Sequence, residues 1–276
     1  MSKENQCIDQ LIEQTKALTW EDIILVPATE KAAQISNHAL IGKLVSTKAL
    51  NKHIFYTTIR AVWSFAPGLN IEDLGINTFL FTFSSSMEKN RIFQQRPWNF
   101  KGYHLVLKEW PPGLSIQEID LTYSAFWIHI CGLPLEMMTI ENAIQIGKVL
   151  GNLIEIDYAY LPENSVKPFM RIRVEINTEK PLYESFNLPR INKKPAKICF
   201  KYERLSEFCY GCGRLGHLHQ SCPIYTSSSD DPCYGSWMRA DTVENRRTPV
   251  SFVKPDVPHY NQLQPNLLLE QPASDS

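Results

Sequence analysis

No stretch of this 276-residue sequence approaches the roughly 18 uninterrupted apolar residues that a membrane helix needs, so no membrane-spanning segment is expected. The opening residues, MSKENQCIDQLIEQ, lack an apolar core of the kind a secretory signal carries. Seven cysteines are an odd number and are thinly spread except at one place, which argues against a secreted disulfide framework. The expected setting is intracellular and reducing, nuclear or cytoplasmic, with thiols available for metal. Gly (12) and Pro (18) are too few for a low-complexity chain. Surplus positive charge is also missing: the net charge is −1, so any contact with a polyanion has to come from a local patch. There is no Walker loop, no nucleophile elbow, no His-Glu-x-x-His and no acidic motif assignable to a polymerase or nuclease. An enzyme is therefore not expected.

What is present is a globular composition, 43% hydrophobic and 21% charged, with clear local periodicities. LIGKLV (40–45) reads as a strand. In residues 50–65, Leu50, Ile54, Phe55, Ile59, Val62 and Trp63 form one helical stripe, broken by Ala66-Pro67-Gly68. Residues 69–75 and 78–85 read as two strands joined through Gly75-Ile76-Asn77. Residues 86–96 suit a helix with Ser86 as N-cap and Glu88 in its first turn. Residues 103–110 alternate as a strand. The order β-α-β-β-α-β is the ferredoxin-like or RRM-like plan.

A second α+β layer follows Pro111-Pro112-Gly113. Its strands are 126–134, 152–161 and 169–177, its helix is 139–151 and ends at Gly151, and a further strand covers 195–203. The expected organisation is an N-terminal extension (1–35), an RRM-like domain (36–113), a second α+β region with a basic strand (114–204), a cysteine-rich unit (205–223) and a mostly disordered tail (224–276). Within the extension, residues 7–20 have near-helical spacing and 23–26 a short strand pattern.

An RNA-binding RRM exposes aromatics on its third strand. Here Phe79, Phe81 and Phe83 share one face, and Thr78, Leu80 and Thr82 the other. If Phe83 points inward before the second helix, all three do. The sheet is then a scaffold or protein-contact surface, with self-association as one use of it, rather than a platform for bases.

Chemistry concentrates at Cys209, Cys212, His217 and Cys222, spaced C-x2-C-x4-H-x4-C. Zn²⁺ takes four ligands in a tetrahedron and accepts thiolate and imidazole. Cys-x2-Cys brings two sulfurs to one ion, and Gly213 and Gly216 permit the sharp turns between ligands. A shell of three thiolates and one imidazole leaves no open position, so one structural zinc is expected, supplying on the order of 10 kcal/mol of folding energy. His219 is an alternative imidazole; the preceding Gly216 favours His217. Cys7, Cys131 and Cys199 read as small apolar residues or free thiols. The spacing resembles the CCHC zinc knuckle of retroviral nucleocapsid proteins and related single-strand binders. That resemblance implies that Tyr210 and Leu218, after the first Cys and the His, form a platform for an unpaired base, with Arg214 beside them for phosphate.

Charge is concentrated nearby. Residues 190–222 hold Arg190, Lys193, Lys194, Lys197, Lys201, Arg204 and Arg214 against Glu203 and Glu207, a net +5 that leaves −6 on the rest. Lys193, Lys194, Lys197, Lys201 and Arg204 are accordingly expected to meet nucleic acid.

Over residues 40–222 the chain resembles a plant family of domains of unknown function that end in such a knuckle. The resemblance is carried by LIGKLVS (40–46), TFLFTFSS (78–85), RPWNFKGYHLVLKEWPP (96–112), FWIHICGLPLE (126–136), IGKVLG (146–151), RIRVEIN (171–177), KPL (180–182) and FKYERLSEFCYGCGRLGH (200–217). YGSWMRA (234–240) is similar to a short motif that follows the knuckle there, with Ser236 and Met238 departing from the family's Pro and Leu. Such domains recur in proteins encoded by plant non-LTR retrotransposons and in host genes derived from them. The resemblance implies zinc and nucleic-acid binding. The expected function is non-enzymatic, zinc-dependent binding of single-stranded RNA or DNA; the alternative is a protein-interaction adaptor in which the knuckle is only structural.

Overall fold

A computed structural model describes residues 24–162, 167–224 and 233–240. Its elements, in chain order, are α1 (Thr29–His38), β1 (Ala39–Val45), α2 (Lys52–Val62), β2 (Asn70–Gly75), β3 (Thr78–Thr82), α3 (Ser86–Gln94), β4 (Trp98–Phe100), β5 (Tyr103–Glu109), β6 (Tyr123–Cys131), α4 (Ile140–Leu150), β7 (Asn152–Ile156), β8 (Phe169–Asn177), β9 (Ser185–Arg190), β10 (Lys193–Glu203) and β11 (Arg239–Ala240). The strands form two sheets within one unit.

The first sheet has the order β2-β3-β1-β5-β4, and all its pairings are antiparallel. This is the β-α-β-β-α-β plan read from the periodicities, with β4 added as a short edge hairpin. Asn51 caps α2 by accepting from the Ile54 N–H, and Phe55 and Ile59 turn inward. Ser85, not Ser86, caps α3, because its extended backbone lets its hydroxyl accept from the Glu88 N–H. Phe79, Phe81 and Phe83 are all buried beneath these helices. Phe55 lies 4.5 Å from Phe79, and Trp63 sits edge-on to Phe81 and Phe100. Each such burial contributes about 1.5–3 kcal/mol.

The second sheet runs β11-β10-β6-β8-β7, with β9 paired to β10. Its four long strands repeat the spatial order of the first sheet, and α4 repeats the first crossover helix. Thr139 caps α4, and Gly151 ends it where a Cβ would lie 2.3 Å from the Glu175 carbonyl. No second helix separates β8 from β10. Phe126, Ile128 and Ile130 of β6, Met170, Ile172 and Val174 of β8, and Ile198, Phe200 and Tyr202 of β10 share one core. Ala143 and Leu150 of α4 cover part of it. Leu205, Phe208 and Leu215 from the cysteine-rich segment, together with Met238, cover the rest.

The outer face of the first sheet is not free. Ile41, His104 and Val106 are buried, β5 lies against β6, and the His104 ring stacks on Phe126 at 4.8 Å. Val45 packs into the second core. Arg173 donates to the Gln94 carbonyl at 2.7 Å and Arg204 to the Gln95 carbonyl at 2.8 Å, while Lys108 pairs with Glu175. The outer face is thus covered on β1 and β5, while on the third strand Thr78, Leu80 and Thr82 are half-buried and none of them is aromatic.

Several boundaries differ from the sequence reading. α1 forms within the stretch read as an extension. Residues 24–26 form no strand, and the pattern over 7–20 lies outside the described residues. The segment between Pro181 and Pro189, read as a loop, supplies β9. The tail assignment for 224–276 lies mostly outside the described residues. Within it, however, 233–240 folds back: β11 pairs in parallel with β10, and Met238 is fully buried.

Candidate metal centre and nucleic-acid interface

Strand β10 delivers the chain to the metal site, and a buried ion cluster fixes its end. Glu203 accepts from Arg171 Nε and His129 Nε2, both at 2.7 Å, and Arg171 reaches on to Asp157 at 2.7 Å. Burial alone would raise the Glu203 carboxyl, but the hydrogen bonds from His129 and Arg171 hold it below the usual range. Arg204 then turns the chain with φ +51°, and Phe208 bridges to Leu215 to close the knuckle.

The knuckle is built by backbone bonds. The Cys209 N–H donates to the Arg214 carbonyl at 2.9 Å, the Gly213 N–H to the Cys209 carbonyl at 2.8 Å, and the Cys212 N–H to the Cys209 sulfur at 3.4 Å. Gly213 adopts φ +72° under the Tyr234 ring, where a Cβ would come within 2.5 Å. The ligand atoms of Cys209, Cys212, His217 and Cys222 lie within 4.8 Å of one another, and Cys212 Sγ is 3.3 Å from His217 Nε2. A tetrahedral zinc site needs sulfurs about 3.8 Å apart and sulfur and nitrogen about 3.6 Å apart. The donor set therefore fits zinc. Burial and the hydrogen-bonded thiols of Cys209 and Cys222 push the Cys212 thiol up to about 12, so a cation is what lets the cluster sit as thiolates. Three thiolates and an imidazole would supply the four ligands that a tetrahedral zinc ion takes.

The residues expected to touch nucleic acid do not form one patch. Tyr210 is half-buried: its hydroxyl accepts from Arg239 at 2.8 Å, and its ring packs edge-on against Phe208 at 5.1 Å. Leu218 is exposed. Tyr210 is thus held by packing, and Leu218 is open to solvent. Arg204 is exposed and donates one hydrogen bond to the Gln95 carbonyl, and Lys197 pairs with Glu184 at 3.0 Å. Lys201 is half-buried opposite His129. Lys193 and Lys194 are exposed at the β9–β10 turn, about 30 Å from Glu203 at 3.3 Å per residue. Charge counted along the chain merged residues that strand length separates.

Arg214 does face an opening. It lines a cleft of about 280 Å³ together with Lys43, Thr47, Thr178, Glu179, Gly216 and His217. Its Nε is buried without a partner. Exposed Lys48 lines a smaller neighbouring cleft with Leu218. Lys43 and Lys48, from the end of the first sheet, were not legible as site residues. They lie more than 160 positions from the knuckle in sequence, and the Thr47 N–H bond to the Gly216 carbonyl, at 3.3 Å, together with the packing of Val45, brings them to it.

Comparison with known proteins agrees with this anatomy. Residues 33–118 match the family described as "Domain of unknown function (DUF4283)", and residues 176–224 match "Zinc knuckle". An uncharacterized protein of Arabidopsis thaliana is 25% identical over 132 residues. That alignment spans 48% of this chain and 41% of the relative's length. The chain carries a DUF4283 domain followed by a zinc knuckle, consistent with the plant domain family that its sequence resembles.

Proposed function

We propose that this chain is a non-catalytic, zinc-dependent nucleic-acid-binding protein that holds a single strand of RNA or DNA against the exposed side of its knuckle. The observation that supports this most directly is the juxtaposition of a closed Cys3His cluster with the cleft lined by Lys43 and Arg214. Exposed Leu218 lies beside His217 on the Lys48 side and offers an apolar surface to a base. Cations and an apolar step together suit an unpaired strand, because phosphate supplies affinity and the base face supplies stacking. The family resemblance, with its retrotransposon-derived members, points the same way.

Anisotropy of a labelled single-stranded oligonucleotide, titrated at several salt concentrations, tests the proposal. With Lys43, Lys48 and Arg214 as phosphate contacts, log affinity falls with log salt at a slope of about −2. Absence of binding at low salt, with zinc verified in the sample, refutes it. A second reading then stands, that of a protein-interaction adaptor. It is favoured by the burial of Leu205, Phe208 and Leu215, which makes the knuckle a staple for the second core.

A further inference from the structure

Strand β10 is longer than its place in the sheet. Only Cys199, Phe200, Lys201 and Tyr202 are in register with β6. From Lys193 to Ile198 the strand pairs with β9 alone. Ile198 is buried and Ala196 and Leu188 pack against the second core, so only the end of the β9–β10 hairpin, beyond Ala196, projects past the sheet, by about 10 Å at 3.3 Å per residue. Asn192, with φ +57°, makes the turn, and Ile191 at the tip is 90% exposed. Arg190, Lys193, Lys194 and Lys197 are exposed along it, and residues 185–197 contain no acidic side chain. Among the described residues neither Lys193 nor Lys194 takes part in an ion pair; Lys197, at the base, pairs with Glu184.

A two-stranded arm with bare edges invites another strand to pair with it. Pro189 and Pro195, one in each strand, each remove one amide donor and so disfavour such pairing near the turn. What remains for recognition is the side chains, cationic with one apolar residue at the tip. That composition suits a polyanion with exposed sugar or base surface rather than a peptide.

We propose that the β9–β10 hairpin is a second nucleic-acid contact, an arm that grips the phosphates of the strand held at the knuckle. This rests on the function proposed above. Strand β10 runs from the turn to the segment that carries the knuckle, and the turn lies about 30 Å from Glu203 along it. A stacked strand rises 3.4 Å per nucleotide, so a ligand of about nine nucleotides or more is needed to cover that length. Two linked contacts raise affinity without any new interface, but only for a ligand long enough to reach both.

The test compares a labelled single-stranded 6-mer with a 20-mer on the full chain and on the double variant Lys193→Gln/Lys194→Gln. The parent is expected to bind the 20-mer at least tenfold more tightly than the 6-mer. The variant is expected to lose that advantage and to keep the parent's affinity for the 6-mer. Its salt slope on the 20-mer should become shallower by about 1.4, for two phosphates at 0.7 each. Equal binding of the 20-mer by parent and variant overturns the arm while leaving the knuckle contact intact. Failure of the parent to bind either length overturns both.

Discussion

Removing zinc should unfold half of this protein, not merely loosen a 14-residue loop. Leu205, Phe208, Leu215 and Met238 are each no more than 6% exposed, and all four belong to the second core. Burying side chains of this size contributes about 1.5–3 kcal/mol each, or about 6–12 kcal/mol together. This is an upper figure, since a denatured chain buries some of the same surface. A domain's whole margin is about 5–15 kcal/mol. A β-sheet face that loses its cover on one half therefore loses most of that margin. At about 2–4 °C per kcal/mol, a chelator is expected to lower the melting temperature by more than 10 °C. Amide exchange should accelerate at 170–176 and 198–202, and less at 79–83 and 105–107, which belong to the other core. A zinc-free sample, verified by metal analysis, that melts within 3 °C of the loaded protein and keeps its exchange pattern at 198–202 would refute the reasoning. The knuckle would then be an appendage on a self-sufficient sheet.

His104 is buried with both ring nitrogens unpartnered, and burial lowers its pKa to about 3. Its folded pKa lies below the unfolded value of about 6.5, so its contribution is fully present above pH 6.5 and is lost as pH falls toward 3. At pH 5 the loss is about 2 kcal/mol, and His104→Phe, which keeps the stack on Phe126, should flatten stability between pH 7 and 5 in denaturant titrations. Arg204→Ala should cost about 1 kcal/mol through the lost bond to Gln95 and leave oligonucleotide affinity unchanged; weaker binding at unchanged stability would return Arg204 to the interface. Leu218→Ala should weaken binding several-fold without moving the melting temperature, because Leu218 is exposed. Tyr210→Phe should do the reverse, costing about 1 kcal/mol through the Arg239 bond and leaving affinity intact. Paired melting and anisotropy measurements on both variants check these outcomes.

The first sheet was legible because its strands and helices have strict local periods. Phe79, Phe81 and Phe83 alternate, and a face carrying three phenylalanines has only one stable place, the core. β9 was not legible. Ser185-Phe186-Asn187-Leu188 alternates polar and apolar, but the run is only four residues long before Pro189, and its pairing with β10 comes from tertiary context. The helical Thr29–His38 was missed for a similar reason: it has no buried residue, and so no apolar stripe to read.

The sequence by itself determined the metal centre and the local elements around it. Four ligands within 14 residues, with glycines at the turns, specify one tetrahedral site whatever surrounds it. Only the tertiary structure decided what that site faces and what it supports. Contacts between residues far apart in the chain have no signature in composition or spacing. They alone put Val45 and Thr47 against the knuckle, turn Arg204 toward Gln95, cover β1 and β5 on the outer face of the first sheet, and set Lys193 and Lys194 at the far end of the strand that leads to the Cys3His cluster.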